Sequence, residues 1–261
     1  MRPAPPDDDG GPIVLLDFDG TITRDRAGNP IVFLDFDGTI TVDDTLVLLL
    51  DRFGRRLPDG RDWRAIEFDD SLPERVKLQA ELDLLEVGLD EALAWLDGAS
   101  RLRPGFADFL AWAGRHGLQP TVLSGGLLPI IEHALGPLRR ELHAIHANDL
   151  RLESGRWLAL PPATPRLRGL CNHCKTWHLR EAAAARRPVI YIGDGSTDFC
   201  PAREADLVFA RSSLATQMEG EGRSHLPFVT FADVIRRLEG LTLRPESSGQ
   251  ALGRARGQSG R

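Results

Sequence analysis

Residues 30–41 read PIVFLDFDGTIT, and this stretch decides the fold. A short apolar run ends there in two acids, Asp35 and Asp37. An apolar run without polar alternation is typical of a strand that is buried on both faces of a parallel sheet. Open α/β sheets bind their ligands at the carboxyl ends of such strands. The stretch therefore predicts one strand of an α/β sheet with a functional site at its end.

Other apolar runs along the chain have the same character. They lie at residues 120–124, 188–193 and 206–210, and helical patterns separate most of them. Residues 149–160 have the pattern of a β-hairpin that turns at residues 153–155. Strands that alternate with helices predict the α/β class, here a Rossmann-like parallel sheet flanked by helices.

The alternation is interrupted once. Residues 42–103, called here the helical insertion, contain several helical patterns and no strand pattern. Ser71 with Glu74 predicts the start of one of these helices, and Asp90 predicts the start of another. The predicted organisation is an N-terminal extension, a core in two pieces, the helical insertion and a disordered tail, at residues 1–29, 30–41 with 104–240, 42–103 and 241–261.

Composition excludes several classes of function. The chain has 261 residues and a formal net charge of −6, which predicts neither a nucleic-acid footprint nor a polybasic membrane patch. No apolar run approaches the roughly 20 residues of a membrane span. The first residues are polar and acidic, unlike a secretory signal. Three cysteines form no disulfide framework, which favours a reducing, cytoplasmic location.

Polar side chains follow the predicted strands at the same edge of the sheet. Asp35 and Asp37 follow the first strand, Ser124 follows the second, and Asp194 lies in the sequence GDGSTD. Lys175 begins a helical pattern just before one of the strands. Clustered carboxylates repel one another unless a cation lies between them, and oxygen ligands without histidine suit Mg²⁺. We therefore expect a magnesium site at this edge.

The same residue types suit the chemistry of a phosphate ester. A carboxylate can attack phosphorus and form an acyl phosphate, and a second carboxylate two residues away can transfer protons. The Ser124 hydroxyl, the N–H groups of the turn at Gly125 and the Lys175 ammonium could neutralise the phosphoryl oxygens. Each residue alone has an ordinary alternative: a strand-end aspartate or serine often closes a turn or caps a helix.

The ordered set DFDGT, Ser124-Gly-Gly, Lys175 and GDGSTD resembles the four motifs of the haloacid dehalogenase superfamily, subfamily IB, over residues 30–240. The resemblance implies that Asp35 is the nucleophile and that Asp37 is the general acid and base. It implies Mg²⁺ held by Asp35, the main-chain carbonyl of Asp37 and Asp194, with Asp198 supporting the metal's waters. Ser124, Gly125 and Lys175 would bind the phosphoryl group, and the helical insertion would be a small mobile cap.

Within the superfamily, the chain is most similar to the methionine-salvage phosphatases, which act on 2-hydroxy-3-keto-5-methylthiopentenyl-1-phosphate. The similarity rests on DFDGTITVDDT, CNHCK and FARSSLATQMEGEGRSHLPF. Phosphoserine phosphatases are close relatives, but they place a glutamate nine residues after the nucleophile, where this chain has Asp44. The resemblance thus predicts a small phosphorylated metabolite as substrate, and leaves the exact substrate and the oligomeric state open.

The same residues are compatible with two further functions. A phosphotransferase would pass the aspartyl phosphate to an acceptor hydroxyl instead of water. A non-catalytic sensor would bind a phosphorylated ligand without turnover, although acids intact at every motif argue against it. The sequence also leaves the role of one cluster open. The cluster could bind zinc or could simply shape the mouth of the active site, and it consists of Cys171, His173, Cys174 and His178.

The strand motif occurs twice. Residues 12–23 read PIVLLDFDGTIT and differ from residues 30–41 at one position. The second copy leads within a few residues into a helical pattern, whereas the first is followed by the turn-like TRDRAGNP. We therefore predict that Asp35 and Asp37 work, and that Asp17 and Asp19 belong to a spare copy made by a short tandem duplication.

Overall fold

The computed structural model describes residues 30–165, 167, 171–185 and 187–242. These residues form a seven-stranded sheet in the order β4-β3-β2-β1-β5-β6-β7. The strands are β1 (Ile31–Leu34), β2 (Gln119–Leu127), β3 (Ala144–Glu153), β4 (Arg156–Leu160), β5 (Val189–Gly193), β6 (Leu207–Ala210) and β7 (Leu226–Pro227). The four predicted strands and the predicted hairpin are present in this sheet.

The sheet is parallel except for the β3–β4 hairpin. Strand β1 lies at the centre, and it pairs with β2 on one side and β5 on the other. A central strand with parallel neighbours directs its carboxyl end into the sheet edge where ligands bind. The DFDGT copy at residues 35–39 therefore follows the central strand, and this is the second copy. The first copy lies outside the described residues.

Helices cover both faces of the sheet. They are α1 (Thr45–Phe53), α2 (Arg64–Glu67), α3 (Glu74–Leu82), α4 (Leu89–Ala99), α5 (Phe106–Arg115), α6 (Leu128–Leu135), α7 (Lys175–Ala184), α8 (Phe199–Ala202), α9 (Ser212–Gly220) and α10 (Phe231–Thr242). Val32 and Leu34 of β1 pack in the cluster that includes α5, α6 and α10. Ile31 and Phe33 pack in the cluster that includes α7, α8 and α9. Successive residues of a strand point to opposite faces, so β1 is buried on both.

Helices α1–α4 lie in the helical insertion and have an apolar cluster of their own. Leu49, Leu82 and Leu96 are buried in it. Leu127 and Trp157, from outside the insertion, complete the same cluster. The insertion is thus packed against the carboxyl end of β2 and against the β3–β4 hairpin, close to the edge where the site was predicted.

Two predicted helix starts are wrong. Helix α3 begins at Glu74 with Pro73 before it and no side-chain cap, so Ser71 does not close the predicted capping box. Helix α4 begins at Leu89, one residue before Asp90. Pro73 occupies the capping position with an extended backbone (ψ 145°), and its side chain has no acceptor for the first N–H groups of the helix. At the other end of the chain, α10 continues to Thr242, so the first two residues of the predicted tail are helical.

Candidate active site

The turn after β1 brings the two acids of DFDGT to the centre of the sheet edge. The Asp35 N–H donates to the carbonyl of Ile192 in β5 (2.9 Å), which continues the sheet pairing to the first acid. Gly38 then adopts a φ of +74°, where a Cβ atom would lie only 2.4 Å from Asp194 Oδ2. Glycine is needed here because both the left-handed backbone and the approach of the Asp194 carboxylate exclude a side chain.

Lys175 contacts the first and the last acid of the predicted site, Asp35 and Asp198. Its Nζ donates to Asp35 Oδ1 at 2.5 Å and to Asp198 Oδ1 at 2.6 Å, and all three side chains are buried. Burial lowers the pKa of Lys175, but the two carboxylates outweigh that effect, so its pKa lies above the ordinary value. Burial raises the pKa of Asp35, and Asp198 raises it further, while Lys175 lowers it. The lysine therefore remains an ammonium that offsets part of the buried negative charge.

Asp198 is fully engaged by hydrogen-bond donors. Its Oδ1 accepts from Lys175 and from the Tyr191 hydroxyl (2.7 Å). Its Oδ2 accepts from the backbone N–H groups of Asp194 and Gly195, both at 3.0 Å. Asp198 thus fixes both the lysine and the loop that presents Asp194. It fulfils the ordinary role of closing a turn at the same time as it belongs to the site.

Asp37 is oriented by the first residue of α1. Its Oδ1 accepts from the Thr45 N–H (2.8 Å) and from the Thr45 hydroxyl (2.7 Å). Burial raises the pKa of Asp37 to about 7, Asp44 raises it too, and the bonds from Thr45 act in the opposite direction. A carboxyl group with a pKa near neutrality can both give and take a proton.

Two carboxylates of the site, Asp35 and Asp194, are placed to share a cation, and the engaged carboxylate of Asp198 lies beside them. Asp35, Asp194 and Asp198 each offer an oxygen within 4.8 Å of the others, and within the described ranges they form the single such group of histidine, cysteine and acidic side chains. Burial and the neighbouring Asp198 raise the pKa of Asp194 to about 6, whereas a bond from the Thr39 hydroxyl lowers it. An all-oxygen donor set of this kind fits Mg²⁺.

The Ser124-Gly-Gly segment lies in an irregularity of β2. Strand β2 continues through Leu127, and between Leu123 and Leu127 its register against β3 shifts. Such bulges re-aim side chains next to active sites. The predicted turn at Gly125 is therefore wrong, because β2 runs through this segment and α6 begins after it, at Leu128. The Ser124 hydroxyl accepts from the Gly126 N–H at 2.9 Å.

The zinc alternative is not supported by the geometry. Cys171 and Cys174 are free, and neither joins a group of three possible ligands in the part of the chain that the structure describes. His173 instead places Nδ1 2.9 Å from the Ser124 carbonyl and Nε2 2.9 Å from His178 Nε2. The CNHCK segment thus supports the backbone of the Ser124 turn.

Several residues that sequence reasoning missed hold this site together. Arg103 is buried and donates to the carbonyls of Gly38 (2.6 Å) and Thr39 (2.7 Å), so it fixes the turn after β1 from behind. Thr45 and Tyr191 orient Asp37 and Asp198. The only sequence signal for Arg103 was its charge at the end of the helical insertion. The sequence carried no signal for the hydroxyls of Thr45 and Tyr191.

A cavity of about 400 Å³ opens above these groups. Asp35, Asp37 and Asp194 line its floor, together with Ser124 and Gly125. Residues of α3 in the helical insertion line the opposite side, among them Lys77, Leu78 and Glu81. A small molecule in this cavity would therefore contact both the motif residues and the insertion.

Comparison with known proteins agrees with this arrangement. Residues 32–203 match the sequence model of the haloacid dehalogenase-like hydrolases, which spans most of the described core. The chain belongs to the haloacid dehalogenase-like hydrolase family. The predicted family and the predicted enzyme class, a phosphoric monoester hydrolase, are confirmed, and Asp35, Lys175 and Asp194 fall inside the matched residues.

Curated relatives show which members of the family this chain is similar to. The chain is 32% identical over 87% of its length to a 2-hydroxy-3-keto-5-methylthiopentenyl-1-phosphate phosphatase of Geobacillus kaustophilus, of which it covers 95%. It is 31% identical over 88% of its length to the protein of that name from Exiguobacterium sp., of which it covers 98%.

The solved structures confirm the predicted fold class. A substrate-bound phosphoserine phosphatase superimposes with a TM-score of 0.60 at 15% identity, covering 80% of this chain and 98% of that one. A haloacid dehalogenase-family hydrolase of Salmonella enterica superimposes with a TM-score of 0.62 at 17% identity, covering 87% and 75%. Within the described ranges, no helix has the length and apolar character that crossing a membrane requires.

Proposed function

We propose that this enzyme hydrolyses the phosphate ester of a small metabolite through an aspartyl-phosphate intermediate. The observation that supports this most directly is the contact of Lys175 with Asp35 at 2.5 Å, with Asp37 on the same turn. A buried carboxylate can act as the nucleophile. The fixed ammonium beside it can offset the negative charge that develops on the phosphoryl oxygens.

The proposed reaction has two halves. An Asp35 oxygen attacks phosphorus and forms the acyl phosphate, while Asp37 gives its proton to the leaving alcohol oxygen. Asp37, now a carboxylate, then takes a proton from water as that water attacks the phosphorus, and the carboxylate of Asp35 and inorganic phosphate are released. The pKa of Asp37, about 7, and its fixed position beside Thr45 suit both transfers.

Mg²⁺ is the proposed cofactor. Asp35, the Asp37 main-chain carbonyl and Asp194 would hold it, and Asp198 would hold the Asp194 loop in place. The cation would offset the negative charge that these carboxylates and the phosphoryl group bring together. The Asp35 and Asp194 oxygens, which lie within 4.8 Å of each other, support this assignment.

Ser124, Gly125 and Lys175 are proposed to bind the phosphoryl group. Ser124 and Gly125 line the cavity next to Asp35. The Gly125 N–H shares its peptide unit with the Ser124 carbonyl, which lies 2.9 Å from His173 Nδ1, and this contact fixes the orientation of the donor. Donors that are held in place before the reaction lose little freedom when charge develops.

The substrate proposed is 2-hydroxy-3-keto-5-methylthiopentenyl-1-phosphate, the compound in the names of the curated relatives, and phosphoserine is the alternative. The helical insertion is proposed to act as the cap that closes over it. A screen of phosphorylated metabolites that includes both compounds would rank them by kcat/KM.

The mechanism is tested by comparing Asp35→Asn with Asp17→Asn. We expect Asp35→Asn to reduce phosphate release from p-nitrophenyl phosphate at least a thousandfold, because the amide is not a nucleophile. The matched change at Asp17, in the other DFDGT copy, is expected to leave the rate unaltered. EDTA should abolish activity, and Mg²⁺ should restore it. Loss of activity only in Asp17→Asn would overturn the assignment of the working copy.

A further inference from the structure

The CNHCK segment, residues 171–175, contains a polar side chain that the proposed reaction does not use. Asn172 is half-buried and lines the cavity, as do Asp35 and Gly125. A Cβ atom on Gly125 would lie 3.1 Å from both the nitrogen and the oxygen of the Asn172 amide, so this amide packs directly against the glycine. Three positions later, Lys175 contacts Asp35 at 2.5 Å. Asn172 therefore lies on the side of the cavity that the motif residues form.

Two hydrogen bonds fix the orientation of the Asn172 amide. Its Oδ1 accepts from the His173 N–H at 2.5 Å, and its Nδ2 donates to the Gly125 carbonyl at 3.1 Å. The flipped amide is excluded, because it would place its NH₂ group against an N–H donor and its oxygen against a carbonyl. The amide nitrogen carries two hydrogens, and among the residues that the structure describes only one of them has an acceptor. The second N–H is available to a ligand.

His173 holds this amide in place from the protein side. The His173 ring is buried, with Nδ1 2.9 Å from the Ser124 carbonyl and Nε2 2.9 Å from His178 Nε2. The backbone N–H that Asn172 accepts from is thus anchored to β2 and to α7. A donor that the protein fixes before a ligand arrives loses little freedom on binding.

Holding the Gly125 carbonyl does not by itself account for Asn172. Asn148 of β3 donates to the same carbonyl at 2.5 Å. Asn148 is fully buried and does not line the cavity. The two asparagines therefore share one acceptor, but Asn172 alone of the two also faces the space where a phosphoryl group would contact Asp35.

We propose that Asn172 is a further phosphate-binding residue, whose second N–H donates to a phosphoryl oxygen. The inference rests on the proposed phosphatase function and adds a residue to its binding site. A bond from a neutral amide to an anionic oxygen is stronger than a bond between neutral groups, and it brings no second cation next to the proposed metal site. Because the contact is with the phosphoryl group, it acts on every phosphate monoester alike.

The test measures competitive inhibition by inorganic phosphate, with p-nitrophenyl phosphate as substrate and Mg²⁺ present. Asn172→Ala removes the donor, so the Ki of phosphate should rise about tenfold. Asn172→Asp keeps the shape and the acceptor for the His173 N–H but places a carboxylate beside the anion, so the Ki should rise at least about a hundredfold. Asn148→Ala is the matched control. It also loses a bond to the Gly125 carbonyl, and its Ki should stay within about threefold of the wild-type value.

A second measurement separates the phosphoryl group from the organic part of the substrate. In Asn172→Ala, kcat/KM should fall by the same factor, within about threefold, for p-nitrophenyl phosphate, phosphoserine and 2-hydroxy-3-keto-5-methylthiopentenyl-1-phosphate. A loss confined to one of them would place the contact on the organic part and overturn the proposal.

Circular dichroism would verify that each variant is folded, and Asn172→Asp, which preserves the shape, carries the test if Asn172→Ala does not fold. An unchanged Ki in the folded Asn172 variants would overturn the proposal. So would an equal rise in Asn148→Ala, because the effect would then act through the Gly125 carbonyl. Absence of any phosphate release by the wild type would instead contradict the proposed function. Titration calorimetry of inorganic phosphate with the same proteins would then decide the role of Asn172.

Discussion

Asp37, the proposed general acid and base, shows how one local contact can influence the pKa of a buried carboxyl group. Thr45 gives it two hydrogen bonds, one from the backbone and one from the hydroxyl. Without them, burial and Asp44 would raise its pKa further above 7. Because Thr45 is also the first residue of α1, the start of the helical insertion and the orientation of Asp37 are physically linked.

Replacing Thr45 with valine tests this link. The backbone bond stays, the hydroxyl bond is lost, and the branched shape is kept. We expect kcat to fall about tenfold, which corresponds to one lost bond to a charged group, with little change in KM. The pH limb of kcat that Asp37 controls should move to higher pH, because a donor that lowers its pKa is gone.

Thr216→Val is the control for that change. Thr216 is exposed on α9, and its hydroxyl contacts only the Ser212 carbonyl of its own helix (3.4 Å). The kcat and the pH profile of the Thr216→Val enzyme should match those of the wild type. A Thr45→Val enzyme with the wild-type pH profile would show that Thr45 does not tune Asp37.

At the scale of elements, three histidines join the Ser124 turn, β3 and α7. His173 must donate from Nδ1 to the Ser124 carbonyl, so its Nε2 accepts a hydrogen from His178 Nε2. The His178 ring also packs on His146 of β3, with centroids 4.2 Å apart. This arrangement requires neutral rings. Burial and the neighbouring imidazoles lower the pKa of His178 to about 3, and burial lowers that of His173 to about 4.

This cluster predicts a loss of stability in acid. The unfolded histidines take up protons below about pH 6.5, whereas the folded ones resist until about pH 4 and 3. The stability they contribute is therefore complete above pH 6.5 and is lost as the pH falls towards the folded values. His178→Asn should make the unfolding free energy depend less steeply on pH between 6.5 and 4, measured by urea unfolding. Equal slopes in the two proteins would contradict this assignment.

At the scale of the whole molecule, the β3–β4 hairpin connects the sheet to the helical insertion. Trp157 of β4 is 1% exposed inside the apolar cluster of the insertion, and its Nε1 donates to the Val87 carbonyl at 2.9 Å. Arg156 also pairs with Asp83 of the insertion, but both side chains are partly exposed. Exposed pairs contribute at most about 1 kcal/mol, so the buried tryptophan dominates this contact.

Trp157→Ala should therefore destabilise the protein by about 3–5 kcal/mol, because it removes a large buried side chain and leaves a cavity. Trp157→Phe keeps most of the volume and loses the N–H bond, so it should cost about half as much. Arg156→Ala, the neighbouring change, should cost much less than either, because this side chain is exposed. Urea unfolding measures all three, and similar costs for Trp157→Ala and Arg156→Ala would show that the hairpin contact is not dominated by burial.

The elements that carry the proposed catalytic residues were predictable because their signals are local. The apolar run before Asp35, the hairpin at residues 149–160 and the start of α7 at Lys175 are all visible in adjacent residues. The start of α3 was not, because the proline at position 73 replaced the expected cap. The continuation of β2 through Ser124-Gly-Gly was not either, since a bulge depends on the partner strand.

By itself, the sequence determined the α/β class, the central strand and the set of motif residues, because hydrophobic periodicity and motif spacing depend on near neighbours in the chain. Only the tertiary structure decided which groups touch. Lys175 meets Asp35 across 140 positions of sequence, and Arg103 meets the Gly38 carbonyl across 65. Burial and charge pairing shift the pKa values of these groups, and both arise from distances in space that no local pattern encodes.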